Sequence, residues 1–305
     1  MPHPVFATRA ATMTCYGRPQ HMNRLPTYAL LVITLLLAAC ATTSPPAPAP
    51  ETGDARERYA PGTHQALLAW LDHEWKFFGD GRRGHIVDLR RVGPPEPPRW
   101  PGVTPEQRLC DHLRAAYWTP VTGSPDHSEL SRRDPATPPA CTNAWSAVFI
   151  SSALRNAGVQ PRDFRFDPLH SAYLKDIQHR YRTYAAAPDK HEMPLFVPHP
   201  LEARAPQPGD LICATRRRDS DAVLRVIFLP TGPRAQANWD AALDDMAFGH
   251  CDIVVAVDLR RRTMSVIGGN VQDTTSKSLL PIDASGRPIR TIERPWFIVI
   301  ENRLP

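Results

Sequence analysis

An α+β fold built on an antiparallel sheet is predicted by three observations. Apolar residues in the first half recur at three- and four-residue steps, the spacing of buried helix faces. From Pro208 onward the pattern changes to strands, in runs such as "GDLICAT", "GHCDIVVAVD" and "WFIVIEN". Proline, 34 of 305 residues, gathers in Ser44–Pro50, Pro94–Pro105, Pro135–Pro139 and Pro194–Pro208, which favours irregular connections over a helical bundle. Helices first and strands afterwards is the order of an α+β domain.

The N-terminal segment reads as an address. In "MNRLPTYALLVITLLLAAC", Met22–Cys40, Arg24 precedes an apolar run from Tyr28 to Leu37 and then small residues. That is the layout of a secretory signal, too short to span a bilayer, which takes roughly 20 apolar residues. Translation is expected to start at Met22. "LAAC" resembles the lipobox of bacterial lipoproteins, in which Cys40 would be acylated and become the mature N-terminus; an ordinary signal with a chance cysteine is the alternative. Ala41 after that cysteine, by resemblance to Gram-negative sorting, favours the periplasmic face of the outer membrane. The expected organisation is signal 1–40, Pro-rich tether 41–62, helical part 63–135 and core domain 136–305.

Four cysteines then remain, Cys110, Cys141, Cys213 and Cys251. An even number in an oxidising compartment permits two disulfides in three pairings. Cys110–Cys141 is the bridge expected, because both precede or belong to helical segments.

"THQALLAWLDHEWKFFG" predicts a first helix, with Thr63 as N-cap, Leu67, Leu71, Trp75 and Phe78 on its stripe, and Gly79 as its stop. Thr104, Pro105 and Gln107 form a capping-box signature for a second helix, ending near Trp118 before Pro120. In Asn143–Gly158 the stripe Phe149, Ile150, Ala153, Leu154 and Ala157, extended back one step, lands on Ser146. A further short helix is expected from His170 to Tyr181. Strands follow at Gly209, at Ala222–Leu229, in "GHCDIVVAVD", in "TMSVIGG" and from Trp296, with a short helical piece at Trp239–Met246.

"GHCDIVVAVDLRRRTMSVIGGN" predicts a hairpin. With Leu259–Arg261 as loop, Asp258 faces Arg262, Ala256 faces Met264, Val254 faces Val266 and Ile253 faces Ile267. Apolar residues then meet on both faces, and His250 stands opposite Asn270. An amide there would fix the tautomer of the imidazole, while the bland reading of His250 is a structural strand end. Asp252 shares the face of His250 and is the alternative orienter; it is equally a rim or salt-bridge residue.

"AWSAVFISSALRNAG", "HSAY", "PGDLICATR", "GHCDIVVAV" and "VIGGNV" together resemble the bacterial "domain of unknown function 2272" family, over about Ala144 to Asn302. They are similarly arranged to CHAP- and NlpC-type amidases, papain-like cysteine peptidases that cut cell-wall peptides. The resemblance implies a papain-like core with a helix packed on an antiparallel sheet behind N-terminal helices. It places Ser146 on the nucleophile position, where the related enzymes have cysteine, His250 on the base and Asn270 on the orienter. Trp145 and His170 are candidates to line the cleft, with capping or packing as the other reading of His170.

The functional readings are an amidohydrolase through Ser146, a non-catalytic module binding peptidoglycan or protein, and an acyltransferase. Arg216, Arg217 and Arg218 would bind a carboxylate or phosphate, or simply form a solvated strand end. Cys141 and Cys251 are read as disulfide or core cysteines, not nucleophiles. Scattered histidines without ligand spacing, and no phosphate loop, predict no metal and no cofactor. A net charge of +5 without an Arg/Lys stripe speaks against nucleic acid and suits a membrane-anchored partner of anionic lipid or cell-wall polymer. Oligomeric state is left open.

Overall fold

Residues 52–79, 84–90, 110–125, 144–215, 249–272, 274–290 and 295–305 are described by the structure, a computed structural model. Several sequence readings lie outside these residues: Met22, Cys40, Ala41 and the tether to residue 51, the Thr104 helix start, Cys141, Arg216–Arg218, the strand at 222–229 and the helical piece at 239–246. The segments expected at 63–135 and 136–305 belong to one compact unit, Pro50–Pro305; the other unit, Met1–Ala49, lies outside the described residues.

Helix α1 spans Thr63–Phe77 and buries Leu67, Leu71, Glu74 and Trp75. Its N-cap is Gly62 rather than Thr63, whose hydroxyl instead donates to the Ala60 carbonyl at 2.7 Å. Helix α2 was expected to stop before Pro120 and does not. It is π-wound over Leu113–Trp118 and continues as an α-turn through Thr119–Thr122 to Gly123. A proline removes one N–H and crowds the carbonyl four residues back; the wider π turn relieves that crowding, and Thr119 Oγ1 takes up the Arg114 carbonyl at 2.7 Å.

Helix α3, Ser146–Asn156, is buried from Ser146 through Leu154 without interruption. A single stripe was expected; a helix enclosed on all sides is found, and its alanines and serines let neighbours come close. It ends at Ala157, with Gly158 (φ 90°) and Val159 donating to Arg155 and Leu154 carbonyls. Helix α4 runs His170–Ala186, longer than the sequence suggested.

Strands are β1 His85–Asp88, β2 Phe196–Pro200, β3 Leu211–Thr215, β4 Gly249–Asp258, β5 Thr263–Val271, β6 Thr274–Pro281 and β7 Trp296–Asn302. They form one sheet in the order β1-β6-β5-β4-β3-β7-β2. Five ladders are antiparallel and β1–β6 is parallel, so the sheet is mixed rather than purely antiparallel. The parallel strand comes from the segment between α1 and α2, which reads from sequence as helical. Together the helices and this sheet make an α+β fold. Its larger core cluster unites α1, α2, α3 and α4 residues with Leu211, Cys213, Cys251, Ile253 and Ile267.

Two close contacts fix the helices. At Gly269 an added Cβ would lie 2.5 Å from Phe149 Cβ and 2.6 Å from Trp145 Cζ3, so α3 rests on the bare β5 backbone. Between α1 and α2, the buried Glu74 carboxylate accepts from Tyr117 Oη at 2.5 Å and His112 Nε2 at 2.7 Å. Rings of Trp70, Phe78, Tyr117, Trp145 and Phe149 pack against one another at centroid separations of 5.5–6.4 Å.

Gly269→Ala is expected to lower stability by about 1–3 kcal/mol, because the new methyl meets the root of the buried Phe149 side chain and the buried Trp145 ring rather than the far end of a flexible side chain; an unchanged urea midpoint would show that β5 and α3 move apart freely. Burial alone pushes the Glu74 carboxyl up, but the His112 and Tyr117 bonds hold it below its ordinary 4.5. A depressed carboxylate stabilises the fold above its unfolded pKa and loses that contribution as pH falls through the folded value. Glu74→Gln should therefore cost about 1–3 kcal/mol at neutral pH, with the gap to wild type narrowing below pH 4.5; a gap independent of pH would remove the charge from the account.

Candidate functional site

The start of α3 carries the first chemistry. Trp145 is its N-cap, and the indole does not cap the helix. Ser146 follows as the first helical residue, 2 % exposed. The Trp145 indole, expected in a cleft, is 1 % exposed and packs among the aromatic rings beside α1 and α2.

Ser146 Oγ lies 2.8 Å from His170 Nε2, at the start of α4. The imidazole hydrogen-bonded to the hydroxyl is thus one that the sequence offered as a cleft residue. His170 Nδ1 is in turn hydrogen-bonded to Tyr173 Oη. Burial, then the charges of Asp252 and Asp167, push the Tyr173 phenol well above its ordinary value, so it stays protonated. Two proton arrangements satisfy this geometry. If Tyr173 donates to Nδ1, His170 donates from Nε2 to Ser146; if Nδ1–H donates to Tyr173, Nε2 accepts from the serine hydroxyl.

His250 forms the second pair. Its Nε2 is 2.8 Å from Asp252 Oδ1, and an ionised carboxylate only accepts, so the ring N–H donates. The His250 ring centroid is 5.8 Å from that of His170. His250 and Asp252 are each 1 % exposed, and both lie over Gly268: a Cβ there would sit 1.7 Å from Asp252 Oδ1 and 3.4 Å from His250 Nε2.

The β4–β5 register departs from expectation at the loop and recovers inward. Asp258 faces Thr263 rather than Arg262, and Val257 rather than Ala256 faces Met264. The loop takes four residues, because Asp258 Oδ1 accepts the Arg261 N–H at 2.9 Å. A bulge between Val254 and Ala256 absorbs the extra residue, restoring Val254↔Val266 and Ile253↔Ile267. The ladder ends there. Asn270, expected opposite His250, lies beyond it with a left-handed backbone (φ 57°), within the break between Gly268↔Ser276 and Val271↔Thr274. The carboxylate of Asp252, the alternative orienter, is the partner of His250.

Cys213 and Cys251 face each other across β3–β4 and form a disulfide, with Cα atoms 4.1 Å apart. Cys251 is flanked by His250 and Asp252, so the bridge ties the strand that carries them to β3. Cys110 is disulfide-bonded as well, while Cys141, its expected partner, lies outside the described residues. Among the described residues no three His, Cys, Asp or Glu side chains are grouped to hold a metal ion. Tyr173 is the site residue that sequence reading missed. The signal was there in "HSAY", since positions three apart share a helix face.

The chain matches the family described as "uncharacterized protein conserved in bacteria (DUF2272)" over residues 114–301, more than half its length. Neither the curated proteins nor the solved structures include a match to it. The match spans α2, Ser146, His170, Tyr173, His250, Asp252 and all strands except β1, and the chain belongs to this bacterial family.

Proposed function

We propose that this protein is an envelope lipoprotein whose papain-like core hydrolyses amide bonds of cell-wall peptides, with Ser146 as nucleophile and His170 as base. The observation that carries the reading is the 2.8 Å contact between Ser146 Oγ and His170 Nε2 at the start of a buried helix. The "LAAC" ending at Cys40 and the Pro-rich tether support a lipid-anchored, outer-membrane location facing the periplasm.

In this mechanism Ser146 Oγ attacks the amide carbon as its proton passes to His170 Nε2. The carbonyl oxygen becomes an oxyanion facing the first-turn N–H groups of α3, where the helix dipole also favours negative charge. His170 then gives the proton to the leaving amine, and the C–N bond breaks. Water hydrolyses the resulting serine ester by the same proton path. Tyr173 acts as a positioning residue, accepting from His170 Nδ1. The His250–Asp252 pair takes the place that resemblance gave to His250 and Asn270, beside the reacting imidazole rather than on the hydroxyl. A serine has no thiolate-like ground state, so this chemistry depends on the base more than a cysteine enzyme does.

A binding module without turnover is the second reading. It is favoured by burial: Ser146, His170 and His250 are 2 %, 6 % and 1 % exposed.

Reaction with a fluorophosphonate probe, together with hydrolysis of peptidoglycan fragments, tests both readings. Wild type should label at Ser146, Ser146→Ala should not, and His170→Ala should label about a hundredfold more slowly. Fragment binding with neither labelling nor turnover would establish the module instead. Tyr173→Phe should slow labelling by at least about tenfold at neutral pH and alter its pH profile while leaving the melting temperature near wild type; an unchanged rate and profile would remove Tyr173 from the mechanism.

A further inference from the structure

We propose that the tip of the β4–β5 hairpin is a docking surface for an anionic lipid bilayer. The tip reads Leu259, Arg260, Arg261, Arg262, and all four residues are exposed. Leu259 is 58 % exposed, and Ile289 on the adjoining turn 48 %. Only Leu169 joins them as an exposed large apolar residue among those described, so two of the three lie here. The turn is fastened to the tip by the Ile282 N–H on the Arg262 carbonyl, and Leu259 packs over Gly286.

The charges are available. Among the described residues Arg260 and Arg262 make no ion pair, and Arg261 meets Asp258 only at 3.7 Å across an exposed separation. The neighbouring acids are already occupied: Asp88 holds Arg90, and Asp283 accepts from Ser285 and the Arg287 N–H. An exposed leucine ringed by arginines suits a surface that offers anionic headgroups above an apolar layer.

The chain's course gives the occupant. Strands β4 and β7 are both antiparallel to β3, so they run the same way: Ile253 and Ile300 both stand opposite Leu211, β7 ends at Asn302, and β4 continues to Asp258, so the tip projects past the end of β7. The Arg303–Asp54 ion pair and the His64 N–H on the Pro305 carbonyl bring the start of the compact unit to that same end. From Cys40 to residue 52 the tether can reach at most about 40 Å. A lipid at Cys40 would hold this end, and with it the arginine tip, near the bilayer. His250 opens β4, so the Ser146 site lies roughly 26 Å away toward the other end. The anchor rests on the lipoprotein reading; the charge and exposure of the tip do not.

The test places an environment-sensitive dye on Leu259→Cys in the full chain carrying Cys40→Ser, so that no lipid contributes. On vesicles of phosphatidylethanolamine and phosphatidylglycerol, dye emission should shift to the blue, and the shift should fade with added salt. Adding Arg260→Gln, Arg261→Gln and Arg262→Asn, the last chosen for its left-handed backbone (φ 49°), should weaken the response roughly a hundredfold with an unchanged melting temperature. No shift, an equal shift on phosphatidylcholine, or a shift with soluble polyglutamate but not vesicles would each overturn the assignment. Labelling of Ser146 by fluorophosphonate is read separately, so loss of the hydrolase reading leaves this one standing.

Discussion

Everything at the candidate site depends on how closely α3 is pressed onto β5. Phe149 and Trp145 occupy the space a side chain at position 269 would need, and the Asp252 carboxylate occupies the space needed at position 268. Adjacent strand positions face opposite ways, so one glycine receives the helix start and the next receives the carboxylate. Ser146 is held because its neighbours on the helix rest directly on backbone. His250 is held because its partner Asp252 does the same. Neither placement relies on a loop.

That constraint also explains which parts could be read in advance. Val254↔Val266 and Ile253↔Ile267 were legible because apolar residues alternate on both strands, and a shifted pairing would expose them. The loop was misjudged by one residue because Asp258 closes a longer turn, and the bulge that corrects it leaves no mark in composition. Three strands were not legible for three different reasons. β1 is four residues long within a helical segment. β2 contains Pro198 and Pro200, tolerated because it pairs with β7 alone at the sheet edge. β6 is rich in hydroxyls that burial would be expected to exclude, although Thr274, Thr275, Ser276 and Ser278 are all buried. Its lysine, Lys277, lies 3.5 Å above the Trp75 ring, a contact that joins β6 to α1.

At the site, the sequence offered the right residue types and misjudged their partners. Ser146, His170, His250 and Asp252 were all candidates, but a cross-strand amide was expected where a carboxylate two residues along the same strand is found. Residues i and i+2 on a strand share a face, so His250 and Asp252 were adjacent in sequence terms from the start. The His170 contact with Ser146 spans the turn between α3 and α4 and follows from no periodicity. The Cys213–Cys251 bridge likewise needs the β3–β4 register, which fixes it as one opposed pair of a straight ladder.

For the proposed reaction the decisive question is the direction of one proton. The phenol of Tyr173 remains protonated because its surroundings are buried and the charges acting on it, Asp252 and Asp167, are negative. The proposed mechanism uses the arrangement in which His170 Nδ1–H donates to that phenolic oxygen. Nε2 then carries a lone pair 2.8 Å from a hydroxyl with a proton to give. A serine can take the place of a cysteine only where the neighbouring imidazole is fixed as an acceptor, and Tyr173 is the group that would fix it.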